Sequence, residues 1–259
     1  MWLRALLLLL PAALAIGPAS LPAQSRDPIL VPEVSQHQIR VRQGFTGTDL
    51  LLFGAVLDPS GTWIGREHDI VVVLKGPTLP VQMREKQKIA GIWINADSTD
   101  FRSVPSFYAL ASSRPIAELV DERTAAIYEL GLDYLQLSPT GTIDPEQQAR
   151  FKSGLVDLRR REGLYQEHQG GVTISEGVLY QAHIAIPSNV STGLYEAETF
   201  AIADGRVVTS ATAQIEVAKE GFERQVADSA ENYSLFYGLT AVLISLLMGW
   251  LAGRLFVLL

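Results

Sequence analysis

The chain contains no cysteine among its 259 residues. Disulfide scaffolds, thiolate zinc sites, iron–sulfur clusters and cysteine nucleophiles are therefore excluded within it. Histidine is scarce, with four copies, and methionine scarcer still, with three. One of those methionines is the initiator and one lies in the C-terminal apolar stretch, which leaves no basis for a methionine-rich copper carrier. Charge is also low, at 19% of residues, and acids outnumber bases 28 to 21 for a net charge of -7. A nucleic-acid binder needs a concentrated basic face, so that class is set aside. What the chain does have is apolar content, 47% of residues, too much for a disordered chain and enough for a core. The length suits one sizeable domain or two small ones, and no internal repeat is evident.

Catalytic motifs are missing too. There is no His-Glu-x-x-His, no Gly-x-Ser-x-Gly elbow, no Walker loop and no Gly-x-Gly-x-x-Gly. His37, His68, His168 and His183 show no pairing at metal-ligand spacing. His68 precedes an apolar strand and reads as a surface-loop residue, and His183 sits mid-strand with no carboxylate or second histidine beside it in sequence. Ser106, Ser112 and Ser113 read as helix caps or strand ends. The expectation is no catalytic residue, no metal and no cofactor.

The two ends point to a compartment. Arg4 precedes a run of twelve apolar residues from Ala5 to Ile16, followed by Gly17-Pro18 and the small residues Ala19, Ser20 and Ala23. This is the layout of a secretory signal peptide, residues 1–24, with cleavage expected near Ala19 or Ala23. Such a run spans only ~18 Å as a helix, short of the roughly 30 Å hydrocarbon core. At the other end, Leu235 to Gly253 is nineteen residues without a charge, ~28 Å of helix, and the apolar character resumes after Arg254. A transmembrane helix is expected over 235–258. Glu223, Asp228 and Glu231 precede it against Arg224, so the positive-inside rule places Arg254 in the cytoplasm. Tyr233, Tyr237 and Trp250 suit the two membrane interfaces. Within the span, Ala241, Ser245, Gly249 and Gly253 recur every fourth residue and form a helix-packing face for a second copy or a multi-span partner.

Between the ends, short strands alternate with turn residues. Strands are expected at 38–43, 47–57, 69–75, 81–88, 90–95, 172–175, 178–186, 193–203 and 207–218. Asp58-Pro59-Ser60-Gly61 and Asp204-Gly205 are turn signals. Asp69 to Lys75 is continuously apolar inside, as for a strand buried on both faces. Residues 113–163 change period. Ile116, Val120, Ile127 and Leu130 predict one helix up to Gly131. Asp144-Pro145 starts a second, carrying Phe151, Leu155 and Leu158 on one face and Arg159, Arg160 and Arg161 at its C-terminal dipole. The expected fold is mainly β: an immunoglobulin-like β-sandwich over 25–230 with a two-helix insertion, plus one C-terminal transmembrane helix. A division into two β domains near residue 165 stays open.

One polar pattern stands out. Arg84, Lys86 and Lys88 occupy every second position of a strand and so share one face. With Arg40 and Arg42 on another strand they form a candidate anion or headgroup patch; the alternative is a charged edge that blocks aggregation.

Several strings resemble the alphaproteobacterial putative transmembrane protein family. They are Arg40-Val41-Arg42, 45–55 (FTGTDLLLFGA), 69–73 (DIVVV) with Lys75-Gly76-Pro77, 91–95 (GIWIN), 104–112 (VPSFYALAS) and 221–224 (GFER). The resemblance runs from about Val31 to the end and implies a bacterial envelope protein with one C-terminal span and a periplasmic body. It also implies a loose association with sulfite-exporter-like anion permeases, and it transfers no functional residue. Together these readings lead to the expectation of a non-catalytic interaction or accessory subunit of an envelope or transporter complex in the inner membrane. A periplasmic anion- or solute-binding module is the alternative.

Overall fold

The computed structural model describes residues 28–42, 44–57, 68–141, 143–221, 230 and 233–258. The expected signal peptide, the turn at 58–61 and the flank carrying Glu223, Arg224, Asp228 and Glu231 lie outside these residues. The protein is mainly β, with two sheets face to face. The first holds β1 (Ile29–Val34), β3 (Thr48–Leu57), β9 (Val172–Ser175) and β10 (Leu179–Ile186) in the order β1-β3-β10-β9, all antiparallel. The second holds β2 (Gln38–Val41), β4 (Asp69–Lys75), β7 (Tyr108–Ser112), β8 (Tyr165–Gln169), β11 (Gly193–Ala203) and β12 (Arg206–Lys219) in the order β2-β12-β11-β4-β7-β8. Its two outer pairings, β12 with β2 and β7 with β8, are parallel.

Burial follows from what covers each face. In β10, Tyr180, Ala182, Ile184 and Ile186 are buried and the residues between them are exposed, so only the inner face is covered. In β4, Ile70 through Leu74 are all buried. Their inner side meets the first sheet, where the Tyr180 hydroxyl reaches Thr199 Oγ1 at 3.4 Å. Their outer side lies under the helical insertion, where Tyr128 packs edge-on against Phe200 at 5.4 Å between ring centroids. Thr199 and Phe200 are consecutive in β11, so they mark the two faces.

The insertion differs from expectation in one respect. The first predicted helix is split into α1 (Ile116–Leu119) and α2 (Glu122–Tyr128). Val120 turns extended, with φ -144°, and the Asp121 carboxylate accepts the Thr124 N–H to start the second piece. A local cap thus outweighs the apolar spacing. The second helix, α3 (Pro145–Arg161), starts at Asp144 as expected and buries Phe151 and Leu155. Leu158 is exposed instead.

Both ends of the 113–131 segment are pinned to the β4–β7 pair. At one end Ser113 Oγ donates to Asp69 Oδ1 at 2.7 Å and accepts the Ile70 N–H, while the Arg114 guanidinium holds both Asp69 oxygens. At the other end Lys75 Nζ pairs with Glu129 at 2.5 Å. The buried Tyr108 hydroxyl donates to the Glu129 carbonyl at 2.7 Å and accepts the Gly131 N–H at 2.9 Å. Burial pushes the Tyr108 phenol far above its ordinary range, so it stays a neutral donor.

Three strands were not anticipated. β1 contains Pro32, which an edge strand tolerates and β1 is one. β7 reads Tyr-Ala-Leu-Ala-Ser, small residues that fit between two layers but carry no β-branched signal. β8 reads Tyr-Gln-Glu-His-Gln and forms only as the parallel edge beside β7.

Two further parts complete the chain. The strands expected at 81–88 and 90–95 are longer, β5 (Thr78–Ile89) and β6 (Ile92–Pro105), and among the named strands they pair with each other. The C-terminal helix, α4 (Ser234–Leu258), has a 21-residue stretch, Ser234–Arg254, long and apolar enough to cross a bilayer, with none of it buried against the body.

Asp69 supplies a stability test. Its hydrogen bond from Arg114 outweighs partial burial and lowers its pKa below the ordinary carboxylate value. A depressed folded-state pKa contributes stability above the unfolded value of about 4, lost as pH falls through the folded one. Asp69→Asn is expected to cost about 1 kcal/mol at pH 7, a figure kept small because Arg114 is largely exposed. The gap from wild type, read by urea unfolding, closes as the pH drops below about 4.

Candidate functional site

β5 and β6 do not form a separate sheet so much as an extension of a central one. β4 pairs with β7 up to Lys75 and Tyr108. The Gly76 N–H then donates to Phe107 O, the Ser106 N–H to Pro77 O, and Thr78 pairs with Pro105. The ladder therefore continues out of the sheet as a hairpin arm. Twelve residues of β5 reach about 40 Å at roughly 3.3 Å per residue. A two-residue turn closes the arm, with Ala90 at φ 50° and Gly91 at φ 87°.

The near half of the arm is supported. Phe101 bridges to Pro139, Thr140 N–H donates to Asp100 O at 2.7 Å, and Arg150 of α3 pairs with Glu85 at 3.1 Å and with Asp97 at 3.5 Å. Beyond that clasp, residues 86 to 96 are all exposed. Cross-strand pairing puts Lys88 opposite Trp93 and Lys86 opposite Asn95 on one face. Arg84 continues that row, paired with Ser98 across a bulge at 96. The other face carries Gln87 opposite Ile94 and Ile89 opposite Ile92. Ile92 is 68% and Trp93 65% exposed.

The structure thus aligns Arg84, Lys86 and Lys88 on one face, but it does not join them to the other two candidates. Arg40 and Arg42 lie at the β2 edge, where both contact Glu220, at 3.4 and 2.6 Å. The Arg42 hydrogen bond holds the Glu220 carboxyl below its usual range, so this end of the sheet is locally neutralised. No ion pair engages Lys86 or Lys88 among the described residues. Arg84 donates to its own-strand neighbour Gln82. The row remains a candidate, and the apolar apex beside it was missed by sequence reading. Ile89, Ile92, Trp93 and Ile94 surround the Gly91 turn, and their exposure depends on long-range packing that local sequence does not encode.

Other polar sites are less suggestive. His183 faces outward and meets Asp49 at 3.1 Å, with both side chains more than 60% exposed. His37 meets Glu33, and His168 meets Gln166. His68 lies just ahead of β4, outside any strand as expected, and is half-buried. No group of three histidine, aspartate or glutamate side chains suited to a metal occurs among the described residues. An open cleft of about 580 Å³ lies beside α2, lined by Lys75, Tyr128, Glu129 and Glu198 among others. Burial raises the Glu198 pKa against the opposing pull of Lys75. Lys75 Nζ is engaged by Glu129 at 2.5 Å and so does not stand free at the cleft.

The candidate helix-packing face is on α4. Ala241, Ser245, Gly249 and Gly253 share one helix face, and a Cβ built on either glycine would meet nothing within 4 Å. Ser245 Oγ donates to the Ala241 carbonyl at 2.8 Å and Thr240 Oγ1 to the Phe236 carbonyl, so the hydroxyls are satisfied within the helix, as lipid demands.

A family model described as "Putative transmembrane protein (Alph_Pro_TM)" matches residues 29–257. The chain belongs to this family. No curated protein matches it. The Alph_Pro_TM match begins with β1 and runs to residue 257, so it spans the sandwich, the arm and all but the last residue of α4. One candidate span and a transmembrane family together make this a membrane-associated protein.

The clasp can be tested directly. Arg150→Ala removes both ion pairs to the arm, yet these groups are partly exposed, so global stability should fall by less than about 1 kcal/mol. Backbone hydrogen exchange should rise selectively in 81–101 while β4 and β11 keep their protection.

Proposed function

We propose that this Alph_Pro_TM protein is a non-catalytic accessory or interaction subunit of an envelope complex. Its folded body stands on the periplasmic side of the bacterial inner membrane and its C-terminus lies in the cytoplasm. The observation that carries this reading is α4, a span with none of its length buried against the body and one face of small residues. Without hydrophobic driving force between helices in lipid, close backbone approach at such a face is what makes association favourable. The partner is therefore a second transmembrane helix, from another copy or from a multi-span protein. The orientation rests on Arg254 and the acidic residues ahead of the span.

The alternative, a binding module for a free anion or solute, draws on Arg84, Lys86 and Lys88. Those side chains stand on an arm exposed on both faces rather than in a recess, which favours an extended surface over a small ligand.

Purification of the full chain in mild detergent with crosslinking should yield a specific complex, and Gly249→Leu with Gly253→Leu should abolish it while leaving membrane insertion intact. A solitary monomer unaffected by those substitutions overturns the reading. A fluorescent reporter fused after Leu259 should mature and fluoresce, as expected for a cytoplasmic C-terminus.

A further inference from the structure

We infer that the apex of the β5–β6 arm seats in the headgroup layer of the same bilayer that holds α4, with Arg84, Lys86 and Lys88 against anionic lipid phosphates. The first argument is topological. β12 runs toward α4 and leaves its sheet at Lys219. Val41 pairs with Lys219, Gly193 with Val217, Glu196 with Lys75, and Lys75 with Tyr108. The arm, which begins at Lys75 and ends at Tyr108, therefore emerges from the end of the sandwich where the chain departs for the membrane.

The second argument is reach. Gly221 and Ser234 are thirteen residues apart, so the chain between them spans at most about 45 Å. The arm itself is about 40 Å long. An arm of that length from that end can meet the surface that the tether prevents the body from leaving.

The third argument is chemistry. The apex gathers Ile89, Ile92, Trp93 and Ile94, all exposed, around one two-residue turn. Lys88, Lys86 and Arg84 follow at one, three and five residues behind Ile89 on a single face. Apolar groups at the leading edge, tryptophan beside them and cations set back is the order a lipid interface rewards: acyl boundary, glycerol level, phosphate. The protein as a whole is acidic, so general attraction to an anionic surface is absent and the row alone supplies it. A charged row that only guards an edge would not need an apolar apex next to it.

This rests on the membrane tether, and the experiment separates the two. The absence of cysteine makes single-site nitroxide labelling clean. The full chain is reconstituted in nanodiscs of phosphatidylcholine with phosphatidylglycerol, labelled at Ile92→Cys, at Leu246→Cys in α4, or at Ser175→Cys at the opposite end of the sandwich. Oxygen and a water-soluble nickel chelate are compared as relaxing agents. The label at 92 should prefer oxygen, as the one at 246 does, while the one at 175 prefers nickel. The preference at 92 should be lost when Lys86→Glu and Lys88→Glu are added and in discs of phosphatidylcholine alone. Retention in either case refutes the role of the cations. A label at 92 as nickel-accessible as one at 175, with 246 in lipid, overturns the inference alone; a label at 246 in water overturns the tether beneath it. A label at 92 shielded from both agents marks burial against protein and also overturns the inference. Residues 86 to 96 pack on nothing described, so the variants should keep the wild-type circular dichroism.

Discussion

The antiparallel ladder between β4 and β7 is the element on which the rest depends. For its first part it is sealed between the four-stranded sheet and the helical insertion, where Ile70 to Leu74 lose all contact with water. The same ladder then continues into β5 and β6, and beyond the Arg150 clasp residues 86–96 are exposed. The passage is tight: a Cβ on Gly76 would come within 2.7 Å of Ser106 Oγ and 3.0 Å of the Tyr195 ring. Continuity of hydrogen bonding through this point makes the arm a cantilever rooted in the core. A free two-stranded hairpin in water is marginal at best. This one inherits its register from the buried strands and gains support from Arg150 and from residues 138–140.

Pinning the helical insertion serves the same ladder. Asp69 with Ser113 and Arg114 closes one end, and Lys75, Tyr108 and Glu129 close the other. The Ser113, Arg114, Lys75 and Tyr108 groups meet carboxylates or main-chain atoms, while the neighbouring His68 Nε2 and Ser112 Oγ are buried without a hydrogen-bond partner among the described residues. The cover is necessary because β4 and β7 have no polar face to show to solvent.

Charge is distributed in a way that fits this architecture. Arg40 and Arg42 are absorbed by Glu220 where the chain leaves the sheet, and Lys75 by Glu129 beside the root of the arm. Lys86 and Lys88, farther out, have no such carboxylate among the described residues. On a molecule with net charge -7, the field of an isolated basic row is local and short-ranged at physiological salt. It acts on what the arm touches rather than on distant anions.

Local pattern was enough to recognise much of the molecule. The uncharged stretch from Leu235 onward, the alternation around Ile184, the Asp204-Gly205 turn and the Asp144 helix start all encode their structure in adjacent residues, because hydropathy, pleat and capping are short-range effects. The every-second-residue row at Arg84, Lys86 and Lys88 was legible for the same reason. Long-range arrangement was not. That β7 and β8 are strands depends on neighbours far away in the chain, and that α1 and α2 are separate depends on the competition between Asp121 and a continuous helix. Whether Ile92 and Trp93 are core or surface is invisible in their identity, since an apolar residue is buried only if another element arrives to cover it. Here none of the described elements does, and that missing layer, a property of how distant strands and helices pack, is what turns an ordinary hairpin into an exposed arm.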